Sequence, residues 1–371
     1  MIKTMTDLDD FVRGSTLYGT GGGGPQVMGR KLLLGSFEEG KDISWIDIDQ
    51  LKDDDWICTA FYMGSIAPLT DKDKENMALL GLKERVEPRV LVRAVKELEK
   101  ELGVTFAAIV PVELGGINSP APVDAAAQMG KKVLDADLAG RAVPEVAQTL
   151  PRIHKLPIAP LTCCDAWGNV IIIRETHGYD FAEQLGKMVS IPAYEPIGMA
   201  CFAMKVKDAR KAIVKGTMTR NLETGRAVRE AHEAGRDPAD AFANAAGGQV
   251  VFRGEVTKKE WESRGGYMFV DLYIKGKECF AGHELKLWAK NENHMSWLDG
   301  KPYIMSPDLL QCVYEDGGDP ITNTDIKEGD QVAVVAIANP LYRSEEGIKV
   351  LGPIHYGFKD IPYKPMEEVL G

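Results

Sequence analysis

Near the start of the chain, apolar residues recur at helical spacing: Leu8, Phe11, Val12 and Ser15 share one face behind a capping-box-like Thr6-Asp-Leu-Asp9. This predicts a first helix that stops at Gly19. After Gly19-Thr-Gly-Gly-Gly-Gly24, the positions of Val27, Lys31, Leu32 and Leu34 predict a second helix with Pro25 as its first residue. Residues 55–63 are then almost continuously apolar, as in a strand buried on both faces, and that strand is expected to end at Gly64-Ser65. Val90, Leu91, Ala94, Val95, Leu98 and Leu102 form the apolar face of a helix closed by Gly103, and a second buried strand follows over Val104 to Val112. A helix running into a buried strand is α/β grammar.

A short strand, Lys132 to Leu134, leads into Asp135-Ala-Asp137, and a helix is expected from about Gly140-Arg141. Past the Pro-rich stretch 151–160 the pattern turns to strands: Val170 to Arg174, Met199 to Val206, Gln249 to Val256, Tyr267 to Ile274 and Gln331 to Ala338. Helices are expected between them around Asp208 to Lys215 and Leu222 to Ala234. The predicted fold class is α+β, with an N-terminal α/β domain carrying a mixed sheet over residues 1–165 and a C-terminal β-rich domain over 166–371. A length of 371 residues suits two domains of roughly 100–200 residues each.

Composition narrows the function classes. Apolar residues at 44% and charged residues at 27% describe a folded globular chain. Lys and Arg number 44 against 55 Asp and Glu, a net charge of −11 with no compensating basic patch, so nucleic acid is not an expected partner. The opening residues carry Asp7, Asp9 and Asp10, and no apolar run approaches 18 residues; a cytoplasmic protein without membrane association is expected. The six cysteines are scattered without a CxxC pair, as in a reduced compartment. A β-rich second half and 14 methionines offer apolar surface, and a homo-oligomer is expected.

Ligands in open α/β sheets sit beyond the carboxyl ends of strands, which draws attention to Glu113-Leu-Gly-Gly-Ile-Asn118 and Asp135-Ala-Asp137. Glu113, Asn118, Asp135, Asp137, Arg141 and Glu145 combine acid/base groups with one fixed cation, and crowded carboxylates split their pKa values into an acid and a base. The plainer alternative is that Asp135 or Asp137 caps a helix and Arg141 pairs with a carboxylate. Gly19, Gly21 and Gly24 satisfy GxGxxG, but a helix precedes them where a dinucleotide site needs a strand, and no Lys-Ser/Thr follows. The glycines either present bare amides to an anion or let backbones pack closely. Cys163-Cys164-Asp165 with His177 would need a nearby base and a depressed pKa to supply a thiol nucleophile, and buried inert thiols are the expected reading. The expected catalyst is metal-free; if a divalent Zn²⁺, Mn²⁺ or Co²⁺ is used, its ligands should come from Asp135, Asp137, Asp165, His177, Glu292 or His294.

Gly19 to Gly24, Glu113 to Asn118, Asp135-Ala-Asp137 with Gly140-Arg141 and Pro144-Glu145, Asn291-Glu292, Pro307-Asp308 and Gly352-Pro353 occur in an order and spacing that resembles the S-methyl-thiohydantoin desulfurase family over nearly the whole chain. The resemblance implies two domains and hydrolysis of an S-methylated thiohydantoin acid to a hydantoin, with release of methanethiol, during ergothioneine breakdown. It also links the chain to hydantoinase/oxoprolinase proteins, so the alternative is an accessory, non-catalytic subunit of such a complex. Leu138-Ala139 and Val143 depart from the family pattern, where Gly-Met and Phe are common. From chemistry and motif position, Glu113 or Asp137 would activate water and Asp135 would protonate the ring nitrogen or departing sulfur. Gly21, Gly22, Gly23, Gly24, Gly115, Gly116, Asn118, Arg141, Asn291 and Glu292 would hold the substrate.

Overall fold

A computed structural model describes residues 1–64 and 69–371; Ser65, half of the expected Gly64-Ser65 strand end, lies outside them. One seven-stranded sheet runs in the order Trp45–Ile46, Lys132–Leu134, Phe106–Val110, Trp56–Met63, Ile197–Lys205, Leu161–Cys164, Val170–Ile173. The first four strands are parallel and the last three join antiparallel, which makes the sheet mixed as expected. Alternate residues face opposite cores: Cys58 and Ala60 pack with Val95 and Phe106, whereas Ile57, Phe61 and Met63 pack with Met199 and Leu161. Burial on both faces is why Trp56–Met63 reads as an unbroken apolar run.

The second sheet is wholly antiparallel and also seven-stranded, ordered Lys301–Met305, Glu292–Leu298, Glu284–Lys290, Tyr267–Gly276, Gln249–Arg264, Gln331–Ile337, Leu309–Tyr314. Together the two sheets give the two-part α+β architecture. Leu309, Val313, Ala333 and Val335 point into the core shared with helices Met5–Tyr18 and Thr217–Glu233, while Leu310, Cys312, Val332 and Val334 face the sheet's own core. These two helices touch backbone to backbone: a Cβ on Gly14 would lie 1.7 Å from Asn221 O, and one on Gly225 would lie 1.8 Å from Asp10 O.

Some expected elements changed. The hairpin Leu161–Cys164/Val170–Ile173 spans residues 165/166, and Ile197–Lys205 inserts beside Trp56–Met63 in the first sheet. No helix forms at Gly140-Arg141. Gly140 sits at φ +72°, and Pro144 biases Val143 away from helical backbone, so the chain stays irregular until the turn Val146–Gln148. The helix expected over 208–215 shrinks to Val206–Ala209, because Val214–Lys215 pairs instead with Ala136–Asp137. Pro25 is the N-cap of helix Gln26–Glu38 rather than its first residue. The first helix is capped by Thr4 with Asp7, two residues earlier than Thr6-Asp9 suggested. Among the described residues no helix is long and apolar enough to cross a membrane.

Candidate functional site

The main cavity, of about 750 Å³, opens where strand ends of the first sheet meet the Glu292–Leu298 strand of the second. Its walls include Gly22, Gly23, Gly24, Glu113, Asn118, Val143, Glu183, Lys187, Asn291 and Glu292. Glu113 follows the Phe106–Val110 strand and is 7% exposed. Asn118 donates from Nδ2 to its Oε1 at 2.8 Å, and the Val143 N–H donates to its Oε2 at 2.7 Å. Asn118 is itself fixed, because its Oδ1 accepts from the Tyr62 N–H at 3.0 Å. Burial pushes the Glu113 carboxyl up to about 7 despite these two donors, with Asp137 and Glu183 adding negative charge nearby.

Glu292 enters from the other domain. It follows Asn291, a non-glycine residue at φ 59°, a left-handed conformation that Asn tolerates better than most side chains. The Asn291 Oδ1 accepts from the Met268 N–H at 2.9 Å and its carbonyl accepts from Asn323 Nδ2 at 2.7 Å, so the turn that aims Glu292 is pinned at both ends. Burial pushes Glu292 up to about 8, and the Glu113 charge acts in the same direction. Its Oε2 is buried without a hydrogen-bond partner. Both carboxyls are raised above the ordinary carboxylate range, so each is more readily protonated near neutral pH than a free glutamate.

The glycine loop explains the tight contact between these parts. A Cβ on Gly22 would fall 2.1 Å from Glu292 Oε1, and one on Gly23 would fall 2.9 Å from the Gly115 Cα. A Cβ on Gly116 would meet Gly24 O at 2.3 Å. The glycine loop and the Gly115-Gly116 backbone therefore pack directly on one another beside the Glu292 side chain, because neither carries a side chain there. Gly21 lies outside the cavity wall, exchanging backbone hydrogen bonds with Ile321 and Asn323.

The remaining sequence candidates lie elsewhere. Asp135 accepts from the Thr219 N–H at 2.9 Å and from its hydroxyl at 2.5 Å, serving the first turn of helix Thr217–Glu233. Asp137 is buried and accepts at Oδ2 from the Ala139 and Gly140 N–H groups at 2.9 and 2.6 Å, which closes the turn. Burial raises it to about 6. Arg141 is 2% exposed and absent from the cavity wall; all of its hydrogen bonds go to protein oxygens. Glu145 is an ion-pair partner of Lys290 and His355; although burial would raise it, these partners hold it near 2. Burial pushes the Cys163 and Cys164 thiols up to about 12, which disables them as thiolates. Asp165 closes its own turn with Trp167 and Asn169, and His177 is exposed. His294 is buried, bonded through Nδ1 to Ser306 at 2.8 Å and stacked on Tyr356. Among the described residues no three His, Cys, Asp or Glu side chains converge as a metal-binding set.

Sequence reasoning missed Glu183 and Lys187. On helix Tyr179–Ser190, Glu183 is buried alongside Ala182, Gly186 and Ser190, so a carboxylate on an otherwise apolar helix face was the readable signal. Its Oε2 accepts from the Val146 N–H at 2.9 Å and its Oε1 from the Tyr267 hydroxyl at 3.2 Å, with Lys187 at 3.6 Å. At the outer rim Arg85 pairs with Glu195 at 2.7 Å and Arg89 with Glu39 at 3.3 Å, while Lys31 is exposed.

Comparison with known proteins agrees with this architecture. A crystal structure of a protein from Chromobacterium violaceum matches with a TM-score of 0.77 at 21% identity, covering 98% of this chain and 99% of that one, which establishes a shared fold. No curated protein matches. Residues 6–175 match the model of an S-Me-THD-like N-terminal domain, and residues 177–366 match that of an S-Me-THD-like C-terminal domain. With both domain models matched in order along nearly its full length, the chain belongs to the S-methyl-thiohydantoin desulfurase-like family.

Proposed function

We propose that the protein is a hydrolase that cleaves the C–S bond of an S-methylated thiohydantoin acid, with Glu113 and Glu292 as its acid/base pair. The observation that carries this reading is two buried, raised carboxyls from different domains on one cavity wall. Ionised Glu113 takes a proton from water as the oxygen attacks the ring carbon bearing sulfur, and protonated Glu292 gives its proton to the adjacent ring nitrogen. On collapse the new hydroxyl returns a proton to Glu292, the C–S bond breaks, and Glu113 protonates the departing sulfur. Methanethiol and the hydantoin carbonyl result, and both carboxyls regain their starting states. Asn118 and the Val143 N–H keep Glu113 oriented throughout.

Arg141 is absent from the cavity wall, so the substrate's acid group is assigned to the rim, where exposed Lys31 supplies positive charge. Val143, one of the departures from the family pattern, lines the cavity and would bear on which ring fits.

The test is methanethiol release from an S-methylated thiohydantoin propionate by the purified protein, with and without chelator. Turnover that survives chelation and disappears in Glu113→Gln and Glu292→Gln supports the carboxylate mechanism. Full rates in both variants would reject it. An accessory subunit would show no turnover alone and would need a hydantoinase-type partner.

A further inference from the structure

Arg141 is a buried guanidinium without an ion pair among the described residues. Asp308, whose backbone carbonyl Arg141 reaches, spends its carboxylate on Arg343, Tyr363 and the Asn339 and Met366 N–H groups. Arg141 meets five neutral acceptors instead: the carbonyls of Ala142, Asn293, Pro307 and Asp308 and the hydroxyl of Ser306. Burying a cation against neutral groups is costly, so the position needs a reason.

Its connections supply one. The Arg141 carbonyl accepts from the Leu114 N–H at 3.2 Å, directly after Glu113, and two residues on the Val143 N–H holds the Glu113 carboxylate. Across the domain junction Arg141 Nη2 donates to the Asn293 carbonyl at 3.4 Å, directly after Glu292. Nη1 anchors the same side chain to the 306–308 turn at 3.0 Å and 2.9 Å. The main chain at Arg141 thus holds the strand end beside Glu113, while its guanidinium ties that same segment to the chain beside Glu292.

We infer that Arg141 is a positioning residue that fixes Glu113 against Glu292 across the two domains, and that it is not a ligand for the substrate's acid group. The inference rests on the reading of Glu113 and Glu292 as the acid/base pair. The groups acting on Glu292 are Glu113, which disfavours its ionisation, and Arg141 and Lys187, which favour it; the Tyr267 and Tyr356 hydroxyls also lie within its field.

Arg141→Lys keeps the charge and loses the planar fork, while Arg141→Gln loses both. Displacement of the pair should lower kcat on the order of 100-fold in Arg141→Lys with KM little changed. In Arg141→Gln the alkaline limb of the kcat profile should move to higher pH, because a charge that favours ionised Glu292 is gone. Infrared titration of the carboxyl band in a Glu113→Gln background, with and without Arg141→Gln, reads the same upward shift without needing turnover. Should the Arg141 variants fail to fold, Ser306→Ala removes a single anchor and should lower kcat in the same direction by less. A raised KM at unchanged kcat would overturn the inference in favour of substrate binding, and an unchanged kcat and pH profile in the folded variants would overturn it outright. If Glu113→Gln and Glu292→Gln themselves turn over normally, the fault lies in the acid/base reading; if they are inactive and the Arg141 variants behave as wild type, only the positioning role fails.

Discussion

Two carboxylate clusters, both at strand ends, have opposite fates in this molecule. Asp135 and Asp137 satisfy amides within reach of their own turn or of one neighbouring helix, and neither lines the cavity. Glu113 and Glu292, 179 positions apart, line one cavity from two different sheets, and Glu292 Oε2, like Asp137 Oδ1, is buried without a partner. Short side chains beside a turn find local donors and become structural. Glu113 also accepts from Asn118 and the Val143 N–H; what sets it and Glu292 apart is that both line the shared cavity.

The sharpest break between the clusters should be in rate. Glu113→Gln or Glu292→Gln should lower kcat by about 10²–10⁴, the usual worth of a general acid or base, whereas Asp137→Ala should leave kcat per folded molecule within the same order of magnitude. Steady-state methanethiol release on folded protein checks both; an Asp137→Ala loss matching Glu113→Gln would erase the distinction. The wild-type profile should be bell-shaped, with limbs near 7 and 8 belonging to the pair as a unit.

Gly22→Ala sharpens the comparison from the loop side. A Cβ 2.1 Å from Glu292 Oε1 must displace that carboxylate, so kcat should fall and the pH profile should move with the protein still folded. Gly35→Ala is the control: it lies in helix Gln26–Glu38 on the same cavity with nothing within 4 Å, and it should raise stability by about 0.5–1 kcal/mol with kcat unchanged.

Asp137→Ala strands two turn amides and should cost about 1–3 kcal/mol, read by denaturant unfolding. The last comparison is in the pH dependence of stability. Glu113 and Glu292 are raised in the folded state, so their favourable contribution is complete below their unfolded pKa of about 4.3 and is lost as pH rises through about 7 and about 8. Glu292→Gln should therefore have a higher Tm than wild type at pH 9, and the difference should shrink on acidification; an equal Tm at both ends would show that Glu292 is not buried as a raised carboxyl.

Much of the scaffold was legible along the chain. The amphipathic face from Val90 to Leu98 and the left-handed Gly103 that ends its helix are set by local spacing and by glycine's freedom at positive φ. Runs such as residues 56–63 announce strands buried on both sides. The 140–144 and 208–215 segments misled because strand pairing of Val214–Lys215 and the Asp137 turn outweigh weak helical spacing.

Of the site, Glu113, Asn118, Asn291, Glu292 and the glycine loop were visible as polar or glycine clusters at element ends. Their roles were not, because sequence shows which side chains can ionise but not which donors they will find. The carboxylate that shares the cavity with Glu113, the burial that raises both, and the commitment of Arg141 to carbonyls of the other domain follow from contacts between residues far apart in the chain. Local sequence determined the elements and their caps through backbone preference and hydrophobic period. Tertiary structure decided desolvation and charge pairing, since both depend on what the completed fold places around each group.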